Sequence, residues 1–184
     1  YTVSIRGDFP RIFFSSGGDN DKILTIEQWG DISWSSMEGA FRGCRELTYN
    51  LIDPADTPDL SGVTNLSSMF ESALIFNGAI GNWNVSTITN MSDMFLSATD
   101  FSQDLSGWYT SNVENMNSMF ANTDFNGDIT TWNTEKVSDM SSMFQFNRTF
   151  NQAIGGWNTS AVTDMSRMFW DANTFDQDLS NWNT

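Results

Sequence analysis

Five aliphatic residues, Ile80, Leu105, Ile129, Ile154 and Leu179, recur along the chain, and the residues before them are Ala79, Asp104, Asp128, Ala153 and Asp178. This acidic column, Asp104, Asp128 and Asp178, is the candidate ligand-binding feature of the sequence. If the units carrying it pack side by side at roughly the 4.8 Å spacing of paired strands, Asp104 and Asp128 become neighbours. Two adjacent carboxylates suit calcium, a hard cation that takes oxygen ligands, so Asp104 and Asp128 are the metal candidates. Ala79 and Ala153 weigh against this, because a position that accepts alanine is also what mere exposure would produce.

Other chemistry is sparse. The chain has no histidine, which removes the commonest metal ligand and the usual general base near neutral pH. It has one cysteine, Cys44, so no intrachain disulfide forms. Phosphate-binding loops, dinucleotide fingerprints, zinc spacings and nucleophile elbows are all missing from the sequence. Glycoside hydrolysis needs two particular acids in a cleft, whereas these acids recur with the repeat, so no catalytic role is expected. Asp19-Asn20-Asp21 lacks the glycine and distal glutamate of an EF-hand loop. Arg6-Gly7-Asp8, a tripeptide that integrins read, is expected to end a strand and turn it. Asn65, Asn90 and Asn158 begin Asn-X-Ser/Thr triplets but recur beside apolar columns, which points to turns and not to glycan acceptors.

A formal charge of −15 repels phosphate backbones and anionic head groups, which argues against nucleic acid and membrane surfaces as partners. Spread over a long surface, the same charge keeps a protein soluble. No run is long and apolar enough to span a bilayer, so no direct membrane insertion is expected, and the first residues carry no signal-peptide pattern.

What positions these residues is a repeat. Met-Phe pairs end at Phe70, Phe95, Phe120, Phe144 and Phe169, with spacings of 25, 25, 24 and 25 residues. Tryptophans follow at Trp83, Trp108, Trp132, Trp157 and Trp182, and a second aromatic column runs Phe76, Phe101, Phe125, Phe150 and Phe175. Val63, Ile88, Val113, Val137 and Val162 complete the set. A fixed period of this length marks units that stack and bury one another, so every apolar column is expected inside. The one short unit lacks a residue between Phe120 and Phe125, which places a surface loop over 122–124.

Locally, Asn90 reads as an N-cap with Met91, Met94 and Phe95 at helical spacing, giving a short helix or 3-10 turn in each unit. Asn65, Asn90, Asn115, Asp139 and Asp164 form this cap column. Asp104 to Trp108 is too short for a helix and reads as an extended segment, which stacking would build into a parallel sheet.

Upstream, Trp29 and Phe41 are spaced as Trp83 and Phe95 are, so the register reaches back into a divergent first unit. Met37 to Leu47, followed by Leu51-Ile52-Asp53-Pro54, resembles the repeat of BspA-like leucine-rich proteins, with a Gly-Ala-Phe turn, a cysteine, a leucine and an aliphatic strand ending in proline. Phe150-Asn151-Gln152-Ala153-Ile154, Trp157-Asn158-Thr159 and Val162-Thr163-Asp164-Met165 resemble the related bacterial surface-protein repeat. The resemblance covers most of the chain and makes Cys44 a core position, in the column of Ala73 and Ala98.

The resulting expectation is an α/β repeat solenoid: a leucine-rich-repeat-like right-handed coil stack, with short parallel strands on one side, short helical or 3-10 turns on the other, and an N-terminal β cap. Residues 1–22 are assigned to that cap, with two short strands around Gly7-Asp8-Phe9-Pro10, and Tyr1 to Ile5 resembles the last strand of a PKD-like module. Residues 23–184 form the solenoid, interrupted by a Pro- and Asp-rich loop at 53–59. Its last unit stops part-way, so the array is expected to continue in a larger protein. What the resemblance implies is a non-catalytic, cell-surface or secreted bacterial adhesion module that binds a host or neighbouring-cell protein or glycan. A mechanical stalk displaying other domains is the alternative, and a glycoside hydrolase the remaining one.

Overall fold

The computed structural model describes Gly7 and residues 9–183. The repeating columns are its core. Met69, Met94, Met119 and Met143, the phenylalanines beside them, and Ile80, Leu105, Ile129 and Ile154 are fully buried, as are Val63, Ile88, Val113 and Val137. Trp83 and Trp108 keep only 2% and 3% of their surface. Burial of each such side chain is worth about 1.5–3 kcal/mol, which is why a unit with so few apolar positions uses all of them inward.

The aromatic columns are continuous ladders. Phe41, Phe70, Phe95, Phe120, Phe144 and Phe169 stack in order with ring centroids 5.7, 5.7, 5.6, 5.8 and 5.7 Å apart. Within a unit the two phenylalanines lie nearly parallel, as Phe95 and Phe101 do at 3.8 Å. Trp108, Trp132, Trp157 and Trp182 make a third ladder. A buried indole N–H needs an acceptor. Each finds it one unit back: Trp108 Nε1 donates to the Ile80 carbonyl at 2.9 Å and Trp132 Nε1 to that of Leu105 at 3.0 Å.

The backbone between cap residue and second phenylalanine forms a run of turns in place of the expected short helix or 3-10 turn. Residues 91–98 show how its N–H groups are satisfied. Those of Met91, Asp93, Phe95 and Ser97 donate to carbonyls of the next unit, at Asn115, Asn117, Met119 and Ala121. Those of Met94, Leu96 and Ala98 close turns onto Met91, Asp93 and Phe95 within the unit, and that of Ser92 goes to the Asn90 side chain. Alternate donors therefore point along the stack and into the unit. The geometry requires left-handed residues: Asp93 and Ser97, with φ of 56° and 60° and matched by Ser68 and Ser72, stand third in the Met91–Met94 and Phe95–Ala98 turns, the place a type II turn reserves for positive φ. Consecutive three-residue turns bring Met91, Met94 and Phe95 to one side much as a helix would, while a helix would turn every N–H inward and leave the neighbouring unit without donors. In the first unit the same two positions are Gly39 and Gly43.

The parallel pairing also lies elsewhere than expected. Isolated parallel bridges join Asn65 to Asn90, Asn90 to Asn115, Asn115 to Asp139 and Asp139 to Asp164, in the column read as helix caps. Those side chains do hold free N–H groups, but as Asx turns, with Asn65 Oδ1 accepting from Ser67 N–H at 2.8 Å and Asn115 Oδ1 from Asn117 N–H at 2.8 Å. The segment from Asp104 to Trp108 contains no strand, because the Asp104 side chain and a Trp108 N–H to Leu105 carbonyl bond curl it into turns.

The named strands are β1 (Thr25–Ile26) and β2 (Thr48–Tyr49), paired in parallel, and a single 3-10 turn is described at Asn20–Lys22. Ile52 is 77% exposed and lies beyond β2, so the aliphatic strand read over 51–52 sits earlier. The first unit is in register: Trp29 and Phe41 are buried, and Trp29 meets Trp83 edge-on at 5.4 Å. Tyr49 closes this end, its hydroxyl accepting both indole N–H groups, from Trp29 at 3.0 Å and Trp83 at 3.3 Å. Gly78 carries no side chain because a Cβ there would lie 2.6 Å from the Tyr49 ring. The 53–59 loop is tied down by Asp56, whose carboxylate accepts the Trp29 N–H at 2.5 Å. Of the segment read as two N-terminal strands, residues 1–6 and 8 lie outside the described residues. Residues 9–14 contain no strand; Arg11 bridges Ser36, and the N–H groups of Phe14, Ser15 and Ser16 donate to carbonyls of the first unit, the edge that an expected cap would cover.

Candidate functional site

The acidic column lies on the outer surface, where each aspartate is held by its own turn. Asp104 Oδ1 accepts the Ser106 N–H at 2.8 Å, Asp128 Oδ1 the Thr130 N–H at 2.9 Å and hydroxyl at 2.7 Å, and Asp178 Oδ1 the Ser180 N–H at 2.8 Å. These bonds stabilise the charged form, so hydrogen bonds from Ser106 and Ser180 hold the carboxyls of Asp104 and Asp178 below the usual range. Asp104 and Asp128 belong to adjacent units, and the Leu105 N–H donates to the Asp128 carbonyl at 3.1 Å. Asp178 is separated from them by the unit of Ala153. Among the described residues, no group of three or more acidic, histidine or cysteine side chains converges as a metal site.

Beside this column runs a ladder of amides. Asn77 Oδ1 accepts from Ser102 N–H at 3.1 Å and Gln103 Nε2 at 2.8 Å, and Asn126 Oδ1 from Asn151 N–H at 3.0 Å and Gln152 Nε2 at 3.1 Å. Asn151 repeats the pattern toward Asp176 and Gln177. Gly127 interrupts the glutamines because a Cβ would lie 1.8 Å from the Gln103 carbonyl oxygen. This face is a knitted polar surface. A hollow of about 470 Å³ opens on it where Pro54 of the inserted loop faces Gln103, Asp104 and Gly107.

The other sequence candidates are absorbed by structure. Asn65, Asn90 and Asn158 accept the N–H groups of Ser67, Ser92 and Ser160, as turn residues do. Asn20 donates to the Gly43 carbonyl at 2.9 Å, and Asp21 pairs with Lys22. Arg6 and Asp8 lie outside the described residues.

A second irregular place lies around the short unit. The short unit brings Thr123, not a surface residue, into the position of Cys44, Ala73 and Ala98, and it is 3% exposed. In the next unit that position is Asn147, fully buried. Its side chain fills the space of the missing residue: Nδ2 donates to the Phe125 carbonyl at 2.9 Å and Thr123 Oγ1 at 3.2 Å, and Oδ1 accepts from the N–H groups of Phe150 and Thr149 at 2.9 and 3.1 Å. Next to it, Phe146 occupies a left-handed position with φ of 58° that other units give to glycine, serine, asparagine or aspartate. Phe146 is 42% exposed and lies against Trp170, 52% exposed, with centroids 5.8 Å apart. A depression of about 260 Å³ opens there, lined by Thr99, Asn122, Thr123, Asp124, Phe146 and Arg148.

Residues 35–124 and 110–184 each match a family model described as Mycoplasma protein of unknown function, DUF285. The chain belongs to the DUF285 family. No curated protein matches it, and no solved structure does. The first DUF285 match takes in the divergent unit from residue 35, in agreement with the stacking of Phe41 on Phe70, and ends at Asp124, beside the missing residue. The second runs on through Phe146 and Trp170. Both hollows therefore lie within DUF285 sequence but at departures from this chain's own repeat, and the signal for each was a broken column: an inserted loop in one case, a bulky residue in a column of small ones in the other.

Proposed function

We propose that this DUF285 chain is a non-catalytic recognition module of a larger cell-surface or secreted protein. It is a leucine-rich-repeat-like solenoid related to the BspA-like and bacterial surface-protein repeats, and it binds a protein or glycan through its outer faces. The observation that carries this is the division of labour within each unit. Apolar columns and backbone donors are consumed in joining units to one another, which leaves a long polar outer surface as what the array offers to its surroundings. A binding role is preferred over a hydrolytic one because Asp104, Asp128 and Asp178 each serve a turn of their own. The surface location rests on the family resemblance.

A glycan and peptide array, probed with the intact chain in calcium and again with a chelator, tests this. Selective binding to a subset of spots is the expected result. Loss of that binding on chelation would assign it to Asp104 and Asp128; survival would place it elsewhere on the surface. An array without any selective signal would sink the recognition role in favour of the stalk.

A further inference from the structure

Building on the recognition role above, we propose that the depression beside Phe146 is a binding site for a single neutral pyranose ring. Phe146 is flanked by a unit on either side, so its exposure does not arise from the edge of the stack. Its column is otherwise Gly43, Ser72, Ser97, Asn122 and Asp171. A bulky residue at positive φ is disfavoured there, and nothing in the core requires it, since its ring faces outward. The ring is a platform. The C–H groups on one face of a pyranose carry partial positive charge and settle on the negative face of an aromatic ring.

Trp170 lies outside the lining of the depression and supports the Phe146 ring from the next unit at a tilt of 33°, with the Arg167 guanidinium 4.9 Å from the Trp170 ring centroid. Thr99, Asn122, Asp124 and Arg148 surround the depression with donors and acceptors, the set that paired hydroxyls of a sugar require. At about 260 Å³ the space falls below the roughly 300–1,000 Å³ of pockets for drug-sized ligands and seats one ring, the remainder of a longer glycan lying in solvent. Among the residues lining the depression the one cation, Arg148, is already paired with Asp171, and Asp124 is an anion, which favours a neutral sugar over an anionic one. Thr99, Asn122 and Arg148 are already bonded to Leu74, Ser97 and Asp171, and an apolar peptide side chain could use none of the positions that they and Asp124 leave open to solvent.

The test uses the intact chain, labelled with nitrogen-15, titrated with the methyl glycosides of glucose, galactose, mannose and N-acetylglucosamine. Methyl glucuronide and a blocked phenylalanine amide are the comparison probes. Shifts confined to the amides of residues 99, 122–124, 146 and 148 and to the Trp170 indole are expected with at least one neutral glycoside. Phe146→Asn, which installs a residue type already found in this column, is expected to raise Kd at least tenfold with the remaining spectrum unchanged. Neutral glycosides that bind elsewhere, or that bind the variant equally, would overturn the site while leaving the recognition role standing. Binding of the glucuronide or the phenylalanine amide alone would overturn the ligand class. No response to any glycoside, together with selective peptide signals on the array, would overturn the sugar site and keep the recognition role. Silence in both experiments would remove the role itself.

Discussion

At the scale of single residues, Asn147 and Asp93 depart from their columns with opposite consequences. Asn147→Ala restores the usual small residue of its column, yet strips acceptors from the Phe150 and Thr149 N–H groups and a donor from the Phe125 carbonyl, all beside the core. Each buried group so orphaned costs about 1–3 kcal/mol, so a loss of roughly 2–4 kcal/mol is expected in urea unfolding. Inserting one residue between Thr123 and Asp124 is expected to recover most of that loss, because the alanine then fits as Ala98 does. Asp93 is half-buried, and its carboxyl is pushed above the ordinary aspartate range, first by burial and then by the neighbouring Glu71 charge. Raised in the folded state, it weakens the fold once it ionises. Its contribution is fully present below the unfolded pKa of about 3.9 and is lost as pH climbs through the folded value. Asp93→Asn keeps a side chain tolerated at positive φ, and is expected to raise the thermal midpoint at pH 7 while leaving that near pH 4 little changed. Equal effects at both pH values would refute the electrostatic explanation.

Among the elements, the tryptophan ladder separates stacking from hydrogen bonding. Trp132→Phe keeps an aromatic ring between Trp108 and Trp157 but loses the indole donor to the Leu105 carbonyl, for an expected cost of about 1–2 kcal/mol. Tyr49→Phe removes no ring and orphans two buried indoles, those of Trp29 and Trp83, so thermal unfolding should reveal the larger loss, roughly 2–4 kcal/mol. The ladders themselves were legible in the sequence because burial selects a residue type at each period, and Met, Phe, Trp and aliphatic columns show that selection directly. The turns between them were not. After Gly39 and Gly43 of the first unit their left-handed residues are serine, aspartate, Asn122, Phe146 and Arg167 where glycine would have been the signal, and Met91, Met94 and Phe95 satisfy a helical spacing whether or not a helix forms. Tyr49 was equally hidden, since its partners stand 20 and 34 residues away in sequence. Of the candidate sites, the Asp column was readable as recurring acids on the surface, whereas the Phe146 depression showed in the sequence only as a bulky residue in a column of small ones, its walls being contacts between neighbouring units.

For the whole molecule, the consequence of this bonding pattern is that stability resides in contacts between adjacent units more than within any one of them. Each regular unit offers donors on one side and carbonyls on the other, as Met91 to Ser97 do toward Asn115 to Ala121. A second copy of residues 91–115 inserted after Asn115 would present the same donors to the same carbonyls and continue the phenylalanine ladder at its existing spacing near 5.6 Å. Stability in such arrays grows with the number of well-matched interfaces, so the enlarged chain is expected to unfold at a higher urea midpoint and with a steeper slope than the parent. A copy of residues 116–139 placed after Asp139 should do worse, although it has the same columns. Its short segment would face a second short segment, and the neighbour would supply Thr123 where Asn147 is needed to fill the gap. If both insertions stabilised equally, the tight pairing of Asn147 with the missing residue would lose its claim to matter, and the hollow beside it would be an accident of spacing.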